Sequence, residues 1–498
     1  MRQFFTTLVL LLVSITVSLG QNIPAIHNDD IEQSRRYIKG NAFQRDLLLY
    51  VDMLAKTHPY YADESNRAEL MRSARTWYKE CGEIEDDATL FRAYLERIAS
   101  QLNDGHTSVV YWQEFDILFP IQFDIDGSNP VIIEVSTKDR EDLLGREVVA
   151  INGLTMQEIV AKARPLLSAD NSVNFENTVR EFLAFADFWG LMGFSNEVLN
   201  ITLDDGSEVA IEARSKRSGI NFSLLQRNAA NRVTAQRNVL FDYQIYDKEG
   251  ICYLQFNQFA DRLTYPQYPQ LARFDELVAE MMAEMSAKGI ETLVVDLQYN
   301  GGGNSTLGDV LLSWLHPHRD TESVSVELRM SELLAEHYPY YREFTVDGKP
   351  LEMGTVYNPK EFDNSSWNKE IDYTAPQDPS KHVYNFDDAR IFRGNVVFIQ
   401  GKDSFSSSTI LLTMARDNGI GIIVGEVSGG RPSHYGDVLY GQLPNTATLI
   451  TVSHKHFVRP NRAAMDKEYI YPDVEIELND PDRDLVWEWI VENYGKKN

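Results

Sequence analysis

Twice in its second half the chain passes from an apolar strand, through a loop of small residues, into an amphipathic helix pattern. The stretch "ETLVVDLQYNGGGNSTLGDVLLSWLH" places a strand over 293–297, the loop Asn300-Gly301-Gly302-Gly303, and a helix whose Leu307, Val310, Leu311, Trp314 and Leu315 share one face. The stretch "NVVFIQGKDSFSSSTILLTMARDNGIGIIVGE" repeats the plan, with Gly419 as helix stop before the next strand. Buried strands that alternate with helices require a largely parallel sheet with crossover helices. The section from 219 to 498 is therefore predicted to be an α/β core.

Two further sections precede it. At 498 residues the chain is too long for one ordinary core. Residues 21–108 read as helical: "FQRDLLLYVDMLAKTHPYY" and "ATLFRAYLERIASQL" each carry an apolar face, and the second stops at Asn103-Asp104-Gly105. Residues 109–218 read as β-rich, with short runs ("PVIIEV", "REVVAI", "VLNITL", "EVAIEA") and turns at Asn152-Gly153 and Asp205-Gly206. Residues 1–20, "MRQFFTTLVLLLVSITVSLG", have one early positive charge, an apolar run and a small-residue end, the pattern of a cleaved secretory signal. The expected location is secreted or periplasmic, with no stable membrane span.

Charge and cysteine content narrow the function classes. A net charge of −27 repels phosphate backbones, so no nucleic acid partner is expected. The 2 cysteines, Cys81 and Cys252, do not make a disulfide framework, and Cys252 lies in a strand-like run as a buried thiol would.

Several residues have the chemistry of a site. Ser406 stands where a strand ends and a helix begins, a place that favours developing negative charge and suits a nucleophile. Serine is also a preferred helix cap, and Ser404, Ser407 and Ser408 surround it. The glycine loop brings backbone N–H groups close to a ligand, and with no following Gly-Lys-Ser/Thr it fits an oxyanion hole better than a nucleotide loop. His106 follows a helix on the turn Asp104-Gly105 and is a candidate base. The pairs His316/His318 and His454/His456 lack an evident third ligand, so no metal and no cofactor is expected.

The segments "LNDGHTSV", "VVDLQYNGGGNS", "KDSFSSSTILL" and "IIVGEVSGG" occur in an order and spacing that resembles the C-terminal processing (tail-specific) serine protease family, which includes the tricorn core protease. In addition, "LLGREVVAINGLTMQEIV" looks like the second half of a PDZ-type domain. The resemblance implies an α/β multidomain architecture: an N-terminal helical segment, a PDZ-like β-rich domain over 109–218, and a crotonase/ClpP-like catalytic core. It implies a serine peptidase that acts on peptide or protein substrates. In one branch of the family a lysine serves the serine. Its spacing lands here on Arg431, which stays charged and is no general base. The resemblance is then to the tricorn-like branch, with Ser406 as nucleophile and His106 as base. A carboxylate from "AAMDKEYIYPDVEIEL" is expected to orient the histidine. Asp466 has the better spacing and Glu468 the more usual side chain. Gly302 or Gly303, together with Ser407, is expected to form the oxyanion hole. The PDZ-like segment either captures peptide by strand addition or serves as scaffold. A non-catalytic peptide- or hydrophobic-ligand-binding protein on the same scaffold is the alternative. Oligomeric state is not legible.

Overall fold

The computed structural model describes residues 23–84, 87–110, 115–126, 129–135, 138–215, 223–224, 232–315, 322–363, 391–465, 467–480 and 483–496. The expected signal segment, His316, His318 and Asp466 lie outside the described residues. The architecture is mixed α/β, and the chain divides into two compact units. The first takes residues 1–225, 326–368 and 435–456, and the second takes 226–325, 369–434 and 457–498.

In the second unit the predicted strand–loop–helix repeats build a six-stranded sheet. Its order is Phe241–Tyr246, Ile251–Phe256, Thr292–Asp296, Asn395–Gln400, Ile422–Gly425, Val474–Glu475. The first pair is antiparallel and every later pair is parallel. Ile251–Phe256 and Thr292–Asp296 are buried at every position, as a parallel sheet covered on both faces demands. Alternate side chains go to opposite layers. Leu293, Val295 and Phe398 pack with Leu307, Leu311, Leu411 and Leu412 of the crossover helices Thr306–Ser313 and Ser407–Asn418. Val294, Val397 and Ile399 pack with Val486 and Ile490 of the helix Leu485–Tyr494. Each fully buried side chain of this size contributes about 1.5–3 kcal/mol. Gly419 ends its helix at φ 67°, where a side chain would be strained.

Because Thr292–Asp296 and Asn395–Gln400 are hydrogen-bonded neighbours running the same way, the loops that follow them emerge side by side. The Phe405 N–H donates to the Asn300 carbonyl at 3.0 Å and joins the serine loop to the glycine loop. Ligands of parallel α/β sheets bind at this carboxyl edge.

The first unit holds the expected helices, observed as Ala42–Thr57, Glu64–Cys81 and Ala88–Ala99. Its 109–218 stretch, expected to be β-rich, mixes strands with the helices Met156–Ala163, Ser172–Phe182 and Ala186–Leu191. Val148–Ile151, Val198–Leu203 and Glu208–Glu212 form one sheet, and Asn152 and Gly153 supply the two positive φ angles (49° and 74°) of the turn. The pairing of late strands with early ones is not visible from local pattern. Ser108–Val109 pairs with Leu449–Val458, Ser108 opposite Thr451. By this register the 435–456 stretch packs with the N-terminal section, although it follows the α/β repeats in the chain. Cys81 and Cys252 are both free and buried, and burial pushes each thiol up to about 12, which leaves neither a thiolate nucleophile. Among the described residues no helix is long and apolar enough to cross a membrane.

Candidate functional site

The serine loop and the glycine loop lie in the second unit. The four serines have different surroundings. Ser404 is fully buried; its hydroxyl donates to the Leu297 carbonyl at 2.8 Å and accepts from the Gly401 N–H at 3.0 Å. Ser407 donates to the Gly303 carbonyl at 2.6 Å, and Ser408 is fully buried. Ser406 is at the cap position, yet its side chain accepts no capping hydrogen bond, and its backbone is at φ 54°, ψ −121°. A non-glycine residue held there costs on the order of 1–3 kcal/mol and persists only where the surroundings enforce it. The capping explanation of Ser406 therefore fails on geometry. A strained strand-to-helix turn that presents a hydroxyl is a known way to expose a nucleophile.

The glycine loop packs directly under this turn. A Cβ built on Gly302 would lie 2.7 Å from the Ser406 Cβ and 3.0 Å from the Ser407 nitrogen. One on Gly303 would lie 2.3 Å from the Phe259 carbonyl oxygen. Only glycine permits both approaches. The Asn300 side chain fastens the loop: its Nδ2 donates to the Phe256 carbonyl at 2.7 Å, and its Oδ1 accepts from the Gly302 N–H at 2.8 Å. This corrects the expectation for Gly302. Its amide is occupied within the loop, so its part is to let Ser406 and Ser407 come close.

The histidine loop lies in the first unit. Asn103, in the left-handed region at φ 49°, ends the helical segment and turns the chain into Asp104-Gly105-His106. Asp104 is fully buried. Its Oδ1 accepts from the His106 backbone N–H at 2.9 Å and lies 3.5 Å from the His106 Nδ1. Its Oδ2 accepts from the Ser453 hydroxyl at 2.7 Å and lies 3.1 Å from the His58 Nε2. Asp170 accepts from the Gly105 N–H at 2.8 Å. Burial alone would raise the Asp104 carboxyl, but bonding from His106 and His58 holds it well below the usual carboxylate range. Burial alone would lower the His106 imidazole, but Asp104, Asp170 and Asp437 raise it above the ordinary value.

Further along the same unit, Asp437 sits at φ 55° with the Lys455 Nζ 2.5 Å away. Burial pushes His454 down to about 4, and His456 pairs with Glu327 at 2.8 Å. One oxygen or nitrogen each from Asp104, His106 and Asp170 lie within 4.8 Å of one another. The Asp104 oxygens, however, already accept from three donors, which suits a hydrogen-bonded carboxylate better than a metal ligand.

Of the two expected orienting carboxylates, Asp466 is outside the described residues. Glu468, in the second unit, is engaged by Arg431, whose Nη2 donates to it at 2.5 Å. Sequence reading gave no role to Asp104, His58 or Asn300. The first was visible as part of "LNDGHTSV". Asn300 was visible as the first residue of the glycine loop, but its Phe256 partner lies 44 positions away, and His58 lies 46 positions from Asp104 and left no local signal.

Beneath the histidine loop, Glu96 is fully buried and accepts from the Val109 N–H at 2.6 Å and the Ser108 hydroxyl at 3.1 Å. Burial raises its carboxyl from 4.5 to about 7, against the lowering effect of these bonds. A carboxyl raised on folding stabilises below its unfolded value, and that contribution is lost as pH rises through the folded value. Between about pH 4.5 and 7 the protein should therefore lose on the order of 3 kcal/mol relative to Glu96→Gln. Paired urea melts across that window check this, and parallel pH dependences for the two proteins would refute it.

Residues 250–476 match the family model described as Peptidase family S41. Among solved structures, mature CPAF complexed with lactacystin is 15% identical, with 87% of this chain and 93% of that chain covered and a TM-score of 0.58. A mutant form of CPAF is 14% identical, with 92% and 99% covered and a TM-score of 0.60. At these identities the likeness is one of fold. No curated protein matches the sequence.

Proposed function

We propose that this chain, whose residues 250–476 match the Peptidase family S41 model, is a serine peptidase that hydrolyses peptide bonds through an acyl-enzyme on Ser406, with His106 as general base. The observation that carries this reading is the strained Ser406 turn, without a capping bond, packed on a glycine loop. A free serine hydroxyl is too weak an acid to attack at neutral pH, so a base must take its proton as it adds to the carbonyl carbon. His106 does this from its uncharged form. The carbonyl oxygen becomes an oxyanion, held by the Gly303 and Ser407 amides, each worth about 10²–10³ in turnover. His106 then gives its proton to the leaving amine as the C–N bond breaks. Water, deprotonated by the same imidazole, attacks the ester carbonyl, and Ser406 leaves with the proton.

The apolar N-terminus supports export to a secreted or periplasmic location, and the β-rich stretch within 109–218 is a candidate PDZ-like tether for substrate peptide. The direct test is a fluorophosphonate probe. Stoichiometric modification mapped to Ser406 is expected, and an unmodified protein, or modification elsewhere, overturns the reading.

A further inference from the structure

We infer that Asp104 and His58 are positioning residues for His106: the buried carboxylate holds the imidazole, and a second buried imidazole holds the carboxylate. This rests on the reading of His106 as the base. The arrangement lies wholly within the first unit and joins residues from two separate elements.

The Asp104 Oδ1 accepts from the His106 backbone N–H at 2.9 Å, and the same oxygen lies 3.5 Å from the ring Nδ1. The bonded amide fixes the backbone, and the carboxylate beside the ring favours an imidazole that turns Nδ1 toward it. A proton on Nδ1 facing the carboxylate leaves Nε2 as the lone-pair nitrogen, the form a general base needs. Nothing in this requires the carboxylate from the 463–478 segment, where Glu468 is held by Arg431.

His58 is fixed with equal definition. Its Nδ1 accepts from the Tyr60 N–H at 3.1 Å, so the ring proton is on Nε2 and is donated to Asp104. The ring packs against Tyr435 with centroids 4.5 Å apart, and the His58 carbonyl accepts from the buried Arg329 at 2.7 Å. The His58 and Asp104 side chains have no exposed area. In such a place an ionised carboxylate is tolerable only with a full set of donors. Those donors are His58, Ser453 and the His106 amide. Asparagine would turn an N–H₂ toward donors that need an acceptor. The acids that act on His106 are Asp104, Asp170 and Asp437, and they favour its protonated form during turnover.

The test uses the pH profile of fluorophosphonate labelling at Ser406 in the full chain, for wild type, Asp104→Asn, His58→Phe and His58→Gln, with melting temperatures recorded. Asp104→Asn should slow labelling by about 10²-fold or more and move the acidic limb down by about one pH unit. His58→Phe should slow it by roughly tenfold, and His58→Gln, which keeps an N–H at the position, should restore the rate to within about threefold of wild type. A limb unmoved in a folded Asp104→Asn protein overturns the inference. So does a His58→Gln protein no faster than His58→Phe, and this comparison decides the matter if Asp104→Asn does not fold. Wild type left unlabelled at Ser406 instead removes the proposed nucleophile itself, a failure distinct from unaltered profiles in the variants.

Discussion

Ser406→Ala will abolish peptide hydrolysis while the protein keeps its fold. The proposed reaction forms a covalent bond to this one oxygen, and loss of a serine nucleophile from a triad costs about 10⁶ in kcat. Structure should survive because alanine keeps the Cβ that packs on Gly302, and the helix start does not depend on a bond from the serine hydroxyl. The strain at φ 54° remains in the alanine protein. Ser406→Gly should be equally inactive but more stable by on the order of 1 kcal/mol, since glycine adopts this backbone without strain. Hydrolysis of an unstructured protein substrate, followed beside the thermal melts, separates these outcomes. An alanine variant with even one hundredth of wild-type turnover would mean that another group attacks.

His106→Ala should cost about 10⁴-fold or more in kcat/KM, because nothing else then takes the serine proton. Arg431→Ala should cost less than about tenfold, since a half-exposed ion pair with Glu468 contributes no more than ~1 kcal/mol. Equal losses in the two variants would overturn the assignment of His106 and return Arg431, at the position where a lysine serves in the other branch, to the centre of the mechanism. The pH profile gives a second handle. The base works uncharged, and Asp104, Asp170 and Asp437 together raise its pKa against the effect of burial. Activity should therefore fall, as pH drops, on a limb above the ordinary imidazole value of about 6.5. A limb at 5 or below would exclude a histidine in this acidic setting.

The parallel-sheet section was legible because its signal is local. A strand buried on both faces must be apolar at every position, as in Thr292–Asp296, and the helix after it must show one apolar face. The turns were legible too, since a positive φ at Asn152, Gly153 and Gly419 calls for asparagine or glycine. The loop residues Ser406, Gly302, Gly303 and His106 stood out as types that suit acyl transfer, within motifs that resemble a protease family.

Chain order did not disclose which strands pair across hundreds of residues. Ser108 lies opposite Thr451, so the 435–456 stretch belongs with the N-terminal section, and register of this kind depends on packing that no short window contains. The same limit applied to the polar groups. Serine is a common cap, and only its backbone angles and missing capping bond set Ser406 apart from Ser404 and Ser407. Gly302 and Gly303 look alike in sequence, yet the Asn300 side chain occupies the amide of one of them. His58 meets Asp104 across 46 positions of chain. The sequence by itself determined which residue types and which local elements the protein has. The tertiary structure decided which of their donors and acceptors are already satisfied, because a buried polar group is committed by whatever long-range partner folding brings to it.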